Sequence, residues 1–204
     1  MVVDFPESTQ ANEDGLLAVG GDLSTSTLLK AYAQGCFPWY SEGQPILWWS
    51  PDPRMVLFLD EFYCSKRLLR RLKQKRYRFS WNEDFSQVIT QCEAVHRSDG
   101  AWLLPEMINA YQTLHDKAHA HSVEVWEGEQ LIGGLYGVLL KQVFFAESMF
   151  SVRRDASKMA LAILVERGKR EGWKCIDCQF HTDHLASLGA KEIPRSQFLE
   201  LIKV

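Results

Sequence analysis

Three polar residues carry the pattern most suggestive of chemistry. Glu147 directly follows the apolar run Val143-Phe144-Phe145-Ala146, and Asp177 and Gln179 share parity in a short apolar segment, so both project from one face of a strand. Acidic and amide groups at the ends of core strands are costly unless paired. They either cap loops or line a site that handles protons and hydrogen bonds. A second feature is basic: Lys66, Arg67, Arg70, Arg71, Lys73, Lys75, Arg76 and Arg78 follow one another with no intervening acid. Such a run is a solvated helix face or a surface for phosphates. A third is aromatic: of the seven Trp, three fall between residues 39 and 49, where buried or site-lining indoles are expected.

Other candidate motifs read as structural. The Gly-rich segment at residues 14–23 lacks the Lys-Ser/Thr ending of a phosphate loop and the spacing of a dinucleotide fingerprint. Cys175 and Cys178 form a lone CxxC whose members face opposite sides of a strand, poor geometry for one metal. His115 and His119 lack the Glu-first pattern of a zinc protease helix, and His181 and His184 fall in a loop. No metal is expected.

The elements that must position these residues follow from hydrophobic period. Residues 1–54 are rich in Pro and Gly and contain one short helix, capped by residues 24–26 and ended by Gly35; they read as a small N-terminal domain. Residues 55–204 read as a second domain. A buried strand is expected at 55–59, a basic helix at 65–75 with Leu68, Leu69 and Leu72 on one face, and helices at 80–92 and 105–119. Three strands linked by short turns then form an antiparallel meander between residues 123 and 146, followed by a helix at 157–170, a strand at 173–179, a loop to 195 and a short closing helix. That order, a meander, a helix and one more strand expected parallel to its neighbour, resembles the central run of the GNAT acyltransferase fold, an analogy of fold that does not itself give function. The predicted class is α+β, with a mixed, mainly antiparallel sheet flanked by helices.

Composition narrows the setting. The chain has 204 residues, 46% hydrophobic and 24% charged, with a formal net charge of -3, so overall charge alone does not indicate nucleic acid. Five cysteines at irregular spacing argue against a disulfide framework and for a reducing cytoplasm. Neither a signal peptide nor a membrane-spanning run is expected.

Several blocks together carry a family resemblance. Gly-Leu-Leu-Ala-Val-Gly-Gly-Asp-Leu (15–23), Ala-Tyr-Ala-Gln-Gly-Cys-Phe-Pro-Trp-Tyr (31–40) and Ile-Leu-Trp-Trp-Ser-Pro-Asp-Pro-Arg (46–54) resemble the N-terminal signature of the bacterial leucyl/phenylalanyl-tRNA–protein transferases. The segments at 119–126, 146–151, 177–179, 185–190 and 192–195 resemble later blocks of that family in the same order. The segment Ala101-Trp102-Leu103 is a slight variant of the family's block, and the chain stops at Val204 where some relatives carry an extra tail.

The resemblance implies transfer of Leu or Phe, with Met a weaker option, from Leu-tRNA or Phe-tRNA to proteins beginning with Arg or Lys, marking them for degradation. It implies no cofactor and a monomer. By resemblance, Asp177 orients Gln179, Gln179 hydrogen-bonds the attacking amine, and Glu147 binds the acceptor's charge or the donor's α-amine. Leu135, Phe144, Met149 and Ile176 would wall the donor slot. Trp39 and Trp102, assisted by Tyr32 and Tyr111, would stack the terminal adenine, and the basic run at 66–78 would hold tRNA phosphates without reading sequence. Three other readings remain: a coenzyme-A-dependent N-acetyltransferase, although residues 152–157 lack a Gly-rich pyrophosphate loop; a non-catalytic tRNA-binding module; and a cell-wall aminoacyl transferase.

Overall fold

The structure is a computed structural model that describes residues 4–96 and 103–203. Its first sheet is small. Strands β1 (Leu16–Val19), β2 (Phe37–Pro38) and β3 (Leu47–Trp49) pair antiparallel in the order β1-β3-β2. Helix α1 (Thr25–Ala33) connects β1 to β2. Ser24 caps it by accepting from the Thr27 N–H at 3.3 Å, and Asp22 accepts from the Ser24 N–H and the Thr27 hydroxyl. Those hydrogen bonds hold the Asp22 carboxyl down at about 2. The Gly-rich segment is therefore a helix entry, and Trp48 Nε1 ties it to the small sheet by donating to the Gly20 carbonyl at 2.8 Å.

The second sheet has seven strands: β4 (Arg54–Leu57), β5 (Tyr77–Trp81), β6 (Ala120–Glu127), β7 (Gln130–Leu140), β8 (Val143–Ser151), β9 (Cys175–Gln179) and β10 (Lys191–Ile193). Their order is β10-β4-β9-β8-β7-β6-β5, antiparallel at every step except the parallel pair β8–β9. Helix α5 (Ala156–Glu171) makes the crossover that a parallel pair requires. The mixed sheet, its helices and this crossover agree with the expected α+β class.

Alternation along the strands feeds two cores. Leu135, Phe144 and Ile176 point to the face covered by α5 and by Leu68 of α2 (Lys66–Leu72). Tyr136, Phe145 and Cys175 point to the other face, under α1, α3 (Phe85–His96), α4 (Pro105–Asp116) and α7 (Arg195–Ile202). Phe37, Tyr40 and Trp48 of the N-terminal segment belong to that second core, so residues before Arg54 pack continuously with the large sheet.

Several expected elements differ. The predicted helix at 80–92 begins only at Phe85, because Tyr77, Phe79 and Trp81 alternate and pair with β6 as strand β5. Asn82 turns the chain at a left-handed φ of 57°, and Asp84 then accepts from the Gln87 N–H at 2.9 Å to start α3. In α2 only Leu68 is buried; Leu69 is exposed. Helix α4 stops at Asp116, short of 119, with Ala118 at φ 60°. The expected loop before residue 195 contains the short helix α6 (Asp183–Ala186) and the edge strand β10.

Candidate functional site

The site begins where two strands part. Parallel pairing joins Val143 to Cys175, Phe144 to Ile176 and Phe145 to Asp177, and goes no further. Each strand then carries an extra residue. In β8, Ala146 and Ser148 pair with Gly137 and Tyr136, leaving Glu147 as a bulge; in β9, Asp177 and Gln179 pair with Val56 and Met55, leaving Cys178 as another. Bulges re-aim side chains and bend strands, and here they open the split. Gly137 permits the bend, since a Cβ there would lie 2.1 Å from the Phe145 carbonyl oxygen and 2.5 Å from the Phe144 ring. Gln179 ends β9 in the left-handed region, φ 64°, an uncommon conformation for a side-chain-bearing residue.

A cavity of about 420 Å3 fills the split. Glu147 and Gln179 lie in its lining, Met149, Leu161 and Leu185 give it an apolar side, and Phe37, Pro38 and Trp39 reach in from the small sheet. Trp39 is 43% exposed and packs edge-on against Trp49 and at a tilt on Phe180.

Glu147 sits at the end of a buried hydroxyl chain. The Tyr111 hydroxyl donates to Oε2 at 2.7 Å, the Tyr32 hydroxyl lies 2.7 Å behind it, and Gln179 Nε2 donates to Oε1 at 3.0 Å. Burial pushes the Glu147 carboxyl up to about 7, against the opposing pull of the two tyrosine hydroxyls; Asp177 adds to the rise and Arg54 counters it. Burial and the nearby Glu147 charge also raise Tyr32, Tyr111 and Tyr136 well above their ordinary value.

Asp177 is engaged elsewhere. Arg54 grips it with two bonds, Nε to Oδ1 at 2.7 Å and Nη2 to Oδ2 at 2.6 Å, and neither side chain is exposed. The remaining nitrogen, Nη1, donates to the Gly35 carbonyl at 3.1 Å. The guanidinium lies over the rings of Phe37 and Phe198, 4.7 and 4.6 Å from their centroids. Asp177 meets Gln179 through the backbone, accepting from its N–H at 3.1 Å, rather than through the carboxamide. The expected same-face pair is thus an anchor and a cavity group with different partners.

The structure sorts the remaining expected residues. Of the four proposed slot walls, only Met149 lines the cavity; Leu135, Phe144 and Ile176 are closed over in the core, with Phe144 stacked on Trp173. Leu161 and Leu185 stand in their place. Tyr32 and Tyr111 are fully buried and offer no face to a base, a correction of the stacking role expected for them. Trp39 is exposed, and Trp102 lies outside the described residues. In the basic run, Arg67 and Arg71 pair with Asp155, Arg76 with Glu127 and Arg78 with Glu83. Lys66, Arg70, Lys73 and Lys75 are exposed, and no ion pair is formed by them among the described residues. All five cysteines are free thiols, and burial pushes Cys175 up to about 12. Arg54 was the residue that motif reasoning passed over. Its signal was a lone cation opening the apolar strand Arg54-Met55-Val56-Leu57, which demands a buried carboxylate.

Comparison with known proteins gives the family. A model described as leucyl/phenylalanyl-tRNA protein transferase matches residues 56–203, and one for that family's N-terminal domain matches residues 21–52. A leucyl/phenylalanyl-tRNA–protein transferase of Azotobacter vinelandii is 52% identical over 203 residues, covering 98% of this chain and 90% of its own. One from Pseudomonas fluorescens is 51% identical over 204 residues with the same coverage. Among solved structures, an aminoglycoside acetyltransferase from a soil metagenomic sample is 16% identical with a TM-score of 0.45, covering 55% of this chain and 84% of its own, too slight a likeness to carry a reading of this site. With about half of all residues shared along almost the whole length, the chain belongs to the leucyl/phenylalanyl-tRNA–protein transferase family, a family of aminoacyltransferases.

Proposed function

We propose that this protein transfers Leu or Phe, and Met less well, from Leu-tRNA or Phe-tRNA to the N-terminal α-amine of proteins beginning with Arg or Lys, creating a degradation signal. The observation that carries this reading is a single cavity that joins an apolar wall of Met149, Leu161 and Leu185 to the paired Glu147 and Gln179. The donor side chain enters the apolar part. Such a slot selects by size and separates Leu, Phe and Met weakly, because one methylene contributes only about 1–3 kcal/mol. The ester already holds the activation for peptide-bond formation, so the reaction draws on no nucleotide, metal or coenzyme. With Gln179 Nε2 committed to Glu147, its carbonyl oxygen is left to accept from the incoming amine. Asp177, fixed by Arg54, holds the Gln179 backbone in its left-handed turn.

Trp39 stacks the terminal adenine, and Lys66, Arg70, Lys73 and Lys75 hold acceptor-stem phosphates. Residues 1–54 act as a small domain that supplies the Phe37–Trp39 wall, and 55–204 as the catalytic domain. A monomer in the cytoplasm fits five free thiols and a tRNA donor; no described helix is long and apolar enough to cross a membrane. The test is transfer of labelled leucine from Leu-tRNA to a peptide starting with Arg and to the same peptide starting with Ala. Labelling of the Arg peptide alone, abolished when the donor is pretreated with ribonuclease, is expected. Labelling of neither overturns the reading.

A further inference from the structure

Two candidate proton acceptors fail on geometry or chemistry. Asp177 has both oxygens occupied by Arg54 and no exposed surface, so an amine in the cavity cannot reach it. Gln179 is a carboxamide and binds a proton too weakly to remove one. His184 also lines the cavity, but it comes from α6, beyond β9, and makes no hydrogen bond to Glu147 or Gln179. Glu147 remains: a carboxylate in the cavity lining, hydrogen-bonded to Gln179 and Tyr111, with lone pairs to spare beyond those two donors.

We propose that Glu147 accepts the proton released by the attacking amine, and that Tyr111, backed by Tyr32, is the positioning residue that presents its carboxylate to the cavity. The proposal rests on the aminoacyl-transfer reading above. The amine lone pair forms the N–C bond at the ester carbonyl carbon as the carbonyl π pair moves onto oxygen. A proton passes from the resulting ammonium to a Glu147 oxygen. When the carbonyl re-forms, the C–O bond to the ribose breaks, its electron pair leaves with the ribose oxygen, and Glu147 returns the proton to that oxygen. The products are an amide and a free ribose hydroxyl, with Glu147 regenerated.

The surroundings suit a group that takes and returns a proton near neutrality. The titratable and charged groups facing Glu147 are Tyr32 from α1, Tyr111 from α4, Tyr136 from β7, Asp177 from β9 and Arg54 from β4. Asp177 and Arg54 are locked together and act on Glu147 in opposite directions. Burial therefore governs, and the carboxyl stands at about 7, close to where an acid–base group is most effective. The tyrosine hydroxyls favour the carboxylate, so removing one raises the group further.

The experiment measures leucine transfer to the Arg peptide over a range of peptide concentrations and across pH for the full chain, with Glu147→Gln, Tyr111→Phe and Tyr32→Phe, each checked for a native unfolding temperature. Glu147→Gln is expected to lower kcat about 100-fold or more while changing the peptide KM little. Tyr111→Phe is expected to move the acidic limb of the kcat profile to higher pH, and Tyr32→Phe to move it the same way by less. A Glu147→Gln enzyme that keeps kcat and loses only peptide KM would show that Glu147 merely attracts the acceptor's charge, and would overturn the proposal. A limb unmoved in both folded tyrosine variants would overturn the role of Tyr111. Failure of the wild-type chain to label the Arg peptide would instead sink the transfer reading on which the proposal stands.

Discussion

Replacing Arg54 with Met should destabilise the fold by about 4 kcal/mol. Met keeps much of the volume, so the loss is electrostatic. It removes two charge-assisted bonds to Asp177, at 2.6 and 2.7 Å, one bond to the Gly35 carbonyl, and a cation held between Phe37 and Phe198. Asp177 is left in the core with only the Gln179 N–H at 3.1 Å. Breaking a buried pair by deleting one partner typically costs about 3–5 kcal/mol, which is a large part of a total stability of about 5–15. For a chain of this size that lowers Tm by about 8–16 °C. Urea unfolding followed by tryptophan fluorescence reads the loss directly. The double variant Arg54→Met with Asp177→Leu should recover at least half of it, because no charge is then stranded. A single-variant cost under about 1 kcal/mol, or a double variant costing more than the sum of the singles, would refute the view of a desolvated, mutually dependent pair.

Three other outcomes follow from the same geometry. The folded state raises the Glu147 carboxyl from 4.5 to about 7, so it binds that proton more tightly than the unfolded chain; the resulting stability is complete below about pH 4.5 and is lost as pH rises through about 7. Glu147→Gln should remove at most about 3 kcal/mol of stability difference between pH 4.5 and pH 8, measured by urea unfolding at both. Gly137→Ala should cost about 2 kcal/mol or more and depress transfer, since its Cβ meets the Phe145 carbonyl beside the Glu147 bulge; an unchanged unfolding midpoint would contradict this. Trp39→Ala should leave Tm nearly unchanged while weakening binding of an aminoacyl-adenosine fragment about tenfold or more, read by titration calorimetry.

Much of the architecture was legible because period and punctuation agreed. The cap at Ser24, the left-handed Gly35 and the meander of β6, β7 and β8 all follow from local rules. Residues 77–81 misled because Tyr77, Phe79 and Trp81 alternate as a strand while the residues after them read as a helix. At the site, side chains were legible but partners were not. Parity placed Asp177 and Gln179 on one face, yet a one-residue bulge and a left-handed terminal residue gave one to Arg54 and the other to Glu147. Tyr32 and Tyr111 were expected to assist in stacking a base, but tertiary packing buries their rings and turns the Tyr111 hydroxyl to Glu147, with Tyr32 behind it. Leu135, Phe144 and Ile176 sit next to the split in sequence, and the sheet turns them into the packed face beneath α5.

The Arg54–Asp177 pair joins residues 123 positions apart. A ribosome extends a chain at about 5–20 residues per second, so Arg54 is made about 6–25 s before its carboxylate. Phe198, the ring that completes the cation's enclosure, arrives later still. The N-terminal segment is thus synthesised with the charge of Arg54 unmatched by Asp177. The pair bridges Gly35 and Phe37, which contact Arg54, to Gln179, whose N–H is held by Asp177. A chain that has not yet reached Asp177 and Phe198 therefore lacks the pair that fixes the split beside Glu147 and Gln179.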